Sequence, residues 1–194
     1  EQVKKKNKSS GEGKGWKKIL VPAVMDVLGQ QGELHSEAGQ DWLVASIMDC
    51  KSKGFFLELG AGDALARSNS LMLERDFAWR GICIESQEQF QTGLTRRSCT
   101  QVWATVNNPQ SQALEGDDDS STGTVALEEA LRKADAPSQL DYLSINLDGT
   151  GAPESAVLGD FPFKRYSFRI ITIMNPYDAL AKKLKGHGYP HLRL

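Results

Sequence analysis

Glu58, Gly60, Ala61, Gly62 and Asp63 follow one another across the end of an apolar run, Phe55 to Leu59, and a second apolar run, Gly81 to Ile84, ends on another acid, Glu85. Two glycines in a sharp turn let backbone approach a bound molecule closely. An acid about 20 residues beyond such a turn stands where nucleotide-binding α/β units place the carboxylate that holds ribose hydroxyls. Short apolar runs of this length read as buried strands. Ser68 and Asn69 are candidate N-caps for an intervening helix that carries Leu71, Met72 and Leu73. Strand, glycine turn, helix, strand and terminal acid form the front half of a nucleoside-binding unit.

The turn itself narrows the ligand. A dinucleotide fingerprint wants a third glycine, and Leu65 stands where the pattern would continue. A phosphate-cradling loop ending in Gly-Lys-Ser/Thr is absent. An acid within the strand end and only two glycines suit a cationic, phosphate-free ligand such as S-adenosylmethionine better than a pyrophosphate. The bland alternative is an ordinary strand-to-helix turn.

The elements that must position these residues follow in order. Residues 1–18 carry seven lysines against two glutamates with interspersed serine and glycine, the composition of a flexible basic arm. Such an arm either anchors the chain on an acidic partner or serves as a solubilising tail. The domain proper is expected over 19–194, beginning near Trp16 and Ile19 to Val21, with a short helix over Val24 to Gly29. Trp42, Leu43, Val44, Ile47 and Met48 recur at helical spacing after the run Ser36 to Asp41. Beyond Glu85, a helix is expected over Glu88 to Leu94, closed by Arg96-Arg97, and a third strand over Thr100 to Val106. Residues 110–123, acidic at Asp117 to Asp119, read as a surface loop.

A helix over Val125 to Ala134 then leads to a fourth strand, Leu140 to Leu147, which delivers Asn146 and Asp148 to its carboxyl end. A short helix over Glu154 to Gly159, a fifth strand over Arg169 to Met174 and a helix over Tyr177 to Lys185 closed by Gly186 complete the pattern. Tyr189 to Leu194 reads as a sixth strand. Alternating strands and helices with short links predict a doubly wound, mostly parallel sheet, with ligands at the carboxyl ends of the strands.

Composition excludes several classes. Net charge is −2 with 25% charged and 40% hydrophobic residues, ordinary for globular protein and no signal for nucleic acid as partner of the whole domain. Cys50, Cys83 and Cys99 are an odd count without paired spacing, so neither a disulfide framework nor a zinc site is expected, and Cys83 reads as core. No apolar run approaches the roughly 18 residues of a membrane helix. His35, His187 and His191 lack the spacing of a metal cluster, and Asn146 with Asp148 offer too few oxygens for a cation, so no metal is expected. The first residue is Glu1, as in a processed or partial chain, which leaves a soluble cytoplasmic or organellar location open.

Three blocks in this order resemble the FkbM family of S-adenosylmethionine-dependent methyltransferases. They are Ser36 to Asp41; Gly54 to Asp63 with Ser68-Asn69 and Gly81 to Glu85; and Leu140 to Gly149, with Gly186 to Tyr189 extending the likeness to about residue 190. The resemblance implies a Rossmann-like class I methyltransferase fold that transfers a methyl group to a hydroxyl of a small molecule or sugar. It also implies that Glu58, Gly60 and Gly62, with Ala61 and Asp63 between and beside them, border the methionine portion of the cofactor. Glu85 would bind the ribose, Ala104 and Thr105 would border the adenine, and Asn146 would stand at the cofactor. Asp148 would be the base that takes the hydroxyl proton.

The chain departs from the family pattern at three positions. Acids usually stand where Asn146 and Met174 are, and often a glycine where Ala64 is. The fold also normally adds a strand beyond the sixth. These departures open a second expectation, a catalytically degenerate domain that serves as a structural subunit of a larger complex through its basic arm.

Overall fold

A computed structural model describes residues 35–106, 123–147, 158, 161–174 and 178–190. In chain order the elements are α1 (Gln40–Ile47), β1 (Phe55–Leu59), α2 (Leu71–Phe77), β2 (Arg80–Glu85), α3 (Glu88–Leu94), β3 (Thr100–Val106), β4 (Gly123–Val125), α4 (Leu127–Lys133), β5 (Gln139–Ile145), β6 (Ser167–Ile173) and α5 (Asp178–Gly186). The strands lie in the order β4-β3-β2-β1-β5-β6, and every pairing is parallel. The doubly wound α/β sheet read from the sequence is therefore present. Chain order runs outward from β1 to β4 on one side and from β5 to β6 on the other, which places the reversal between β1 and β5.

β1 is buried along its whole length, so its side chains face helices on both surfaces of the sheet. Phe56, Cys83 and Tyr142 point one way, onto Val44 and Ala45 of α1, Met72, Leu73 and Phe77 of α2 and Leu94 of α3. Leu57, Leu59, Ile82, Ile84, Leu143 and Ile145 point the other way, onto Leu127, Ala130 and Leu131 of α4 and Leu180 and Leu184 of α5. Those six strand positions are aliphatic without exception; the opposite face is partly polar.

Several expectations are corrected. Cys83 and Cys99 form a disulfide, with Cα atoms 6.0 Å apart. The sequence spacing conceals it because the β2–β3 register, Cys83 beside Gln101, is what brings Cys99 alongside. Cys50 is free. β4 is a strand where the sequence reads as loop running into helix; its three residues, Gly123, Thr124 and Val125, are held by pairing with Ala104, Thr105 and Val106. Ser70 rather than Ser68 or Asn69 is the N-cap of α2, while the Ser68 hydroxyl oxygen accepts the Ser70 and Leu71 N–H groups. The left-handed glycine after α5 is Gly188, Gly186 being its last helical residue.

Tyr189 and Pro190 are not in a strand, and no strand lies beyond β6 among the described residues. The arm over 1–18, the expected elements over 16–29 and most of the loop over 110–123 lie outside the described residues. So do Asp148, most of the expected helix over 154–159 and residues 191–194. Among the described residues no helix is long and apolar enough to cross a membrane.

Candidate functional site

The parallel ladder continues one residue beyond β1, β5 and β6. Gly60 donates its N–H to the Ile84 carbonyl (2.9 Å), Asn146 to Leu59 (2.9 Å) and Met174 to Ile145 (3.0 Å). Glu85, Gly60, Asn146 and Met174 therefore form one row along the carboxyl edge of the sheet. Gly60 is required where it stands: its φ is +69°, and a Cβ there would land on the Asn146 carbonyl oxygen. Gly62, at φ +57°, has nothing within 4 Å of its own Cβ position, so the turn presents an open backbone face.

Glu85 holds this turn. One carboxylate oxygen accepts the Gly62 N–H (2.7 Å); the other accepts the Ser86 and Gln87 N–H groups (2.8 and 2.7 Å). Its side chain is buried at the end of β2 and ties the glycine turn to the start of α3. A carboxylate offers about four acceptor positions. Three are taken by backbone N–H groups.

Beside the turn runs a groove lined by Gly60, Ile84, Ser86, Ala104, Thr105, Val106 and Leu147, about 250 Å³ with the open solvent at its mouth included. It touches the ends of β1, β2, β3 and β5, and so meets the reversal of strand order, where doubly wound sheets bind ligands. Gly60, Ala104 and Thr105 are among the residues expected at the cofactor from the sequence; Ile84, Ser86, Val106 and Leu147 are not. Those four follow from the alternation of β2, β3 and β5 once the register is known.

Glu58 faces away from this groove. Its carboxylate accepts from the Asn69 N–H (2.8 Å), from the Ser70 hydroxyl (2.6 Å) and from the Ser68 hydroxyl (3.2 and 3.3 Å), with the Arg97 guanidinium 3.7 Å away. Arg97 is wholly buried and also meets Glu74 (3.0 Å), Ser68, Ser70 and the Ala64 carbonyl. Burial pushes the Glu58 carboxyl above its usual range, opposed by Arg97 and the three donors. Asn69 extends the network to Ser144 of β5 (2.8 Å). In this structure Glu58 is thus engaged with the segment that follows the glycine turn, whose shape it supports from below. Arg97, expected only as a helix-closing base, is a buried ion-pair partner of Glu58 and Glu74. The signal for it is Glu58 itself, because an acid inside an apolar strand calls for hydrogen-bond donors or a cation buried with it.

The remaining candidates are local. Asp63 accepts the Leu65 and Ala66 N–H groups (2.9 and 2.8 Å), which lower its pKa and close the turn from its exposed side. Ala61 is buried, with its N–H on the Ile84 carbonyl (3.2 Å). Asn146 is half-buried beside Gly60. Ala64, where the family pattern often has glycine, is accommodated between Gly93 of α3 and Arg97. Among the described residues no group of three His, Cys, Asp or Glu side chains could hold a metal ion. No family model, no curated protein and no solved structure matches the chain.

Proposed function

We propose that the chain binds S-adenosylmethionine at the carboxyl edge of β1 and transfers its methyl group to a hydroxyl oxygen of a small molecule or sugar. The observation that carries this reading is the groove at the strand-order reversal, lined by Gly60, Ile84 and Ser86, with Gly62 and Glu85 next to those residues in the chain. The residues present fit the cofactor. Gly62 leaves room beside its backbone, Glu85 has one acceptor position not taken by backbone, and Ala104 with Val106 offer an apolar wall for adenine.

Bound there, the cofactor supplies an electrophilic methyl on a sulfonium. The chain's own task is alignment, which the rigid turn serves by fixing one wall of the site. Asp148, directly after Leu147 in sequence, is the candidate for taking the hydroxyl proton.

A second reading rests on Asn146 and Met174. Both stand in the row with Gly60 and Glu85, at the positions where the resemblance places acids. Without those carboxylates the domain would bind the cofactor, or only its shape would be retained, within a larger assembly engaged by the basic arm.

Calorimetric titration with S-adenosylmethionine and S-adenosylhomocysteine tests the first step. Ala104→Trp is the informative variant, because residue 104 shares the face of Val106 that lines the groove, and the change leaves the Glu85 hydrogen bonds untouched. Micromolar binding, weakened about tenfold or more, some 1.4 kcal/mol, by Ala104→Trp is expected. Folded wild-type protein that binds neither compound overturns the reading. Binding without methyl transfer to any of a panel of hydroxyl acceptors favours the second.

A further inference from the structure

The glycine turn is held from both ends by one stretch of chain, residues 83–99. Near its start, Glu85 binds the Gly62 N–H. Near its end, Arg97 binds the Ala64 carbonyl and the Ser68 and Ser70 hydroxyls. Between them, Gly93 of α3 faces Ala64, whose Cβ lies 3.6 Å from where a Cβ on Gly93 would stand. The Cys83–Cys99 disulfide closes this stretch into a loop, with each cysteine two residues from one of the two holding side chains. Both sulfur-bearing residues are buried, so the folded protein shields the bridge from thiols.

We infer that residues 83–99 are a clamp on the glycine turn that is set when the disulfide forms, so that cofactor affinity depends on oxidation of the chain. The inference deepens the proposed function and rests on it for the identity of the ligand. Closure joins the two sulfurs and reduces an acceptor disulfide, such as oxidised glutathione, to two thiols that take up the two cysteine protons. Because the bridge is buried, its state is decided as the chain folds. Arg97 and Glu85 are positioning residues here: each acts through the turn.

The test compares the oxidised protein with a Cys83→Ala, Cys99→Ala double variant by amide hydrogen exchange and by titration with S-adenosylhomocysteine. Exchange across residues 60–70 is expected to rise about tenfold while α4 and β6 change little, a local opening. Affinity is expected to fall about tenfold, in step with the loss of the competent turn. Unchanged exchange at 60–70, or an equal rise across the whole sheet, overturns the clamp, as does unchanged affinity. If the wild-type protein binds no S-adenosylhomocysteine, the cofactor reading fails, yet the exchange comparison still decides the clamp. Should the double variant not fold, Arg97→Gln with the bridge intact is expected to raise exchange across 60–70, and Arg97→Lys to restore part of the protection. No rise in Arg97→Gln overturns the proposal.

Discussion

The two faces of the central strands are built on different principles. One face presents Leu57, Leu59, Ile82, Ile84, Leu143 and Ile145 to α4 and α5. The other presents, in a single row across the sheet, Gln101, Cys83, Glu58, Ser144 and Thr172. On the first face the contacts are interchangeable, and losing one costs in proportion to the volume removed. On the second each group has named partners: Glu58 with Ser68, Asn69, Ser70 and Arg97, and Ser144 with Asn69. Removing one there leaves others buried and unsatisfied. The apolar face holds the sheet together, and the polar face specifies the segment after the glycine turn.

Arg97→Met tests that contrast hardest. It leaves Glu58 and Glu74 buried without their cation, and destabilisation of about 3–5 kcal/mol is expected in urea unfolding. A loss below that of a single aliphatic truncation would break the comparison. On the opposite face, Leu143→Ala is expected to cost about 2–4 kcal/mol, with binding at the groove unchanged for the protein that remains folded.

Gly62→Ala meets no neighbour but must adopt a positive φ, so about 1–2 kcal/mol is expected. Its effect on cofactor titration should exceed its effect on stability, since the added methyl stands on the open face of the turn. Equal effects would mean that face is not the binding face.

The Glu58 carboxyl gives a pH test. Burial raises it above its ordinary value of 4.5, so the folded state holds that proton more tightly than the unfolded chain does. The stability this contributes is complete below pH 4.5 and is lost as pH rises through the raised folded value. Glu58→Gln removes the titration, so the stability of wild type relative to the variant is expected to fall as pH rises above 4.5. A relative stability that climbs with pH would contradict the burial argument. The smallest effect is expected at the exposed Glu129–Lys133 pair, 2.9 Å apart, where Glu129→Ala should change the urea midpoint only marginally.

Much of this was legible from sequence because parallel strands buried on both faces read as continuous apolar runs. β1, β2, β5 and β6 are legible that way, β3 by its alternating apolar residues, and the glycine turn by its two glycines and distant acid. The unread parts depend on register. β4 is too short to show a pattern and exists by pairing with Ala104 to Val106. The Cys83–Cys99 bridge and the Arg97 contacts join residues brought together only once β2 and β3 lie side by side. Glu85 was read as facing a ligand, yet most of its capacity is used on backbone N–H groups, which a strand-end acid does not announce. Asp148 lies outside the described residues, so its place as a base rests on sequence alone.

The central claim is that the groove beside Gly60 is where the cofactor sits. Backbone amide NMR of the oxidised protein titrated with S-adenosylhomocysteine tests it most directly. Shifts confined to Gly60 to Gly62, Glu85 to Gln87, Ala104 to Val106 and Leu147, with α4 and α5 undisturbed, are the result the account expects. A well-dispersed spectrum that does not move, or that moves only at residues remote from that groove, would contradict it.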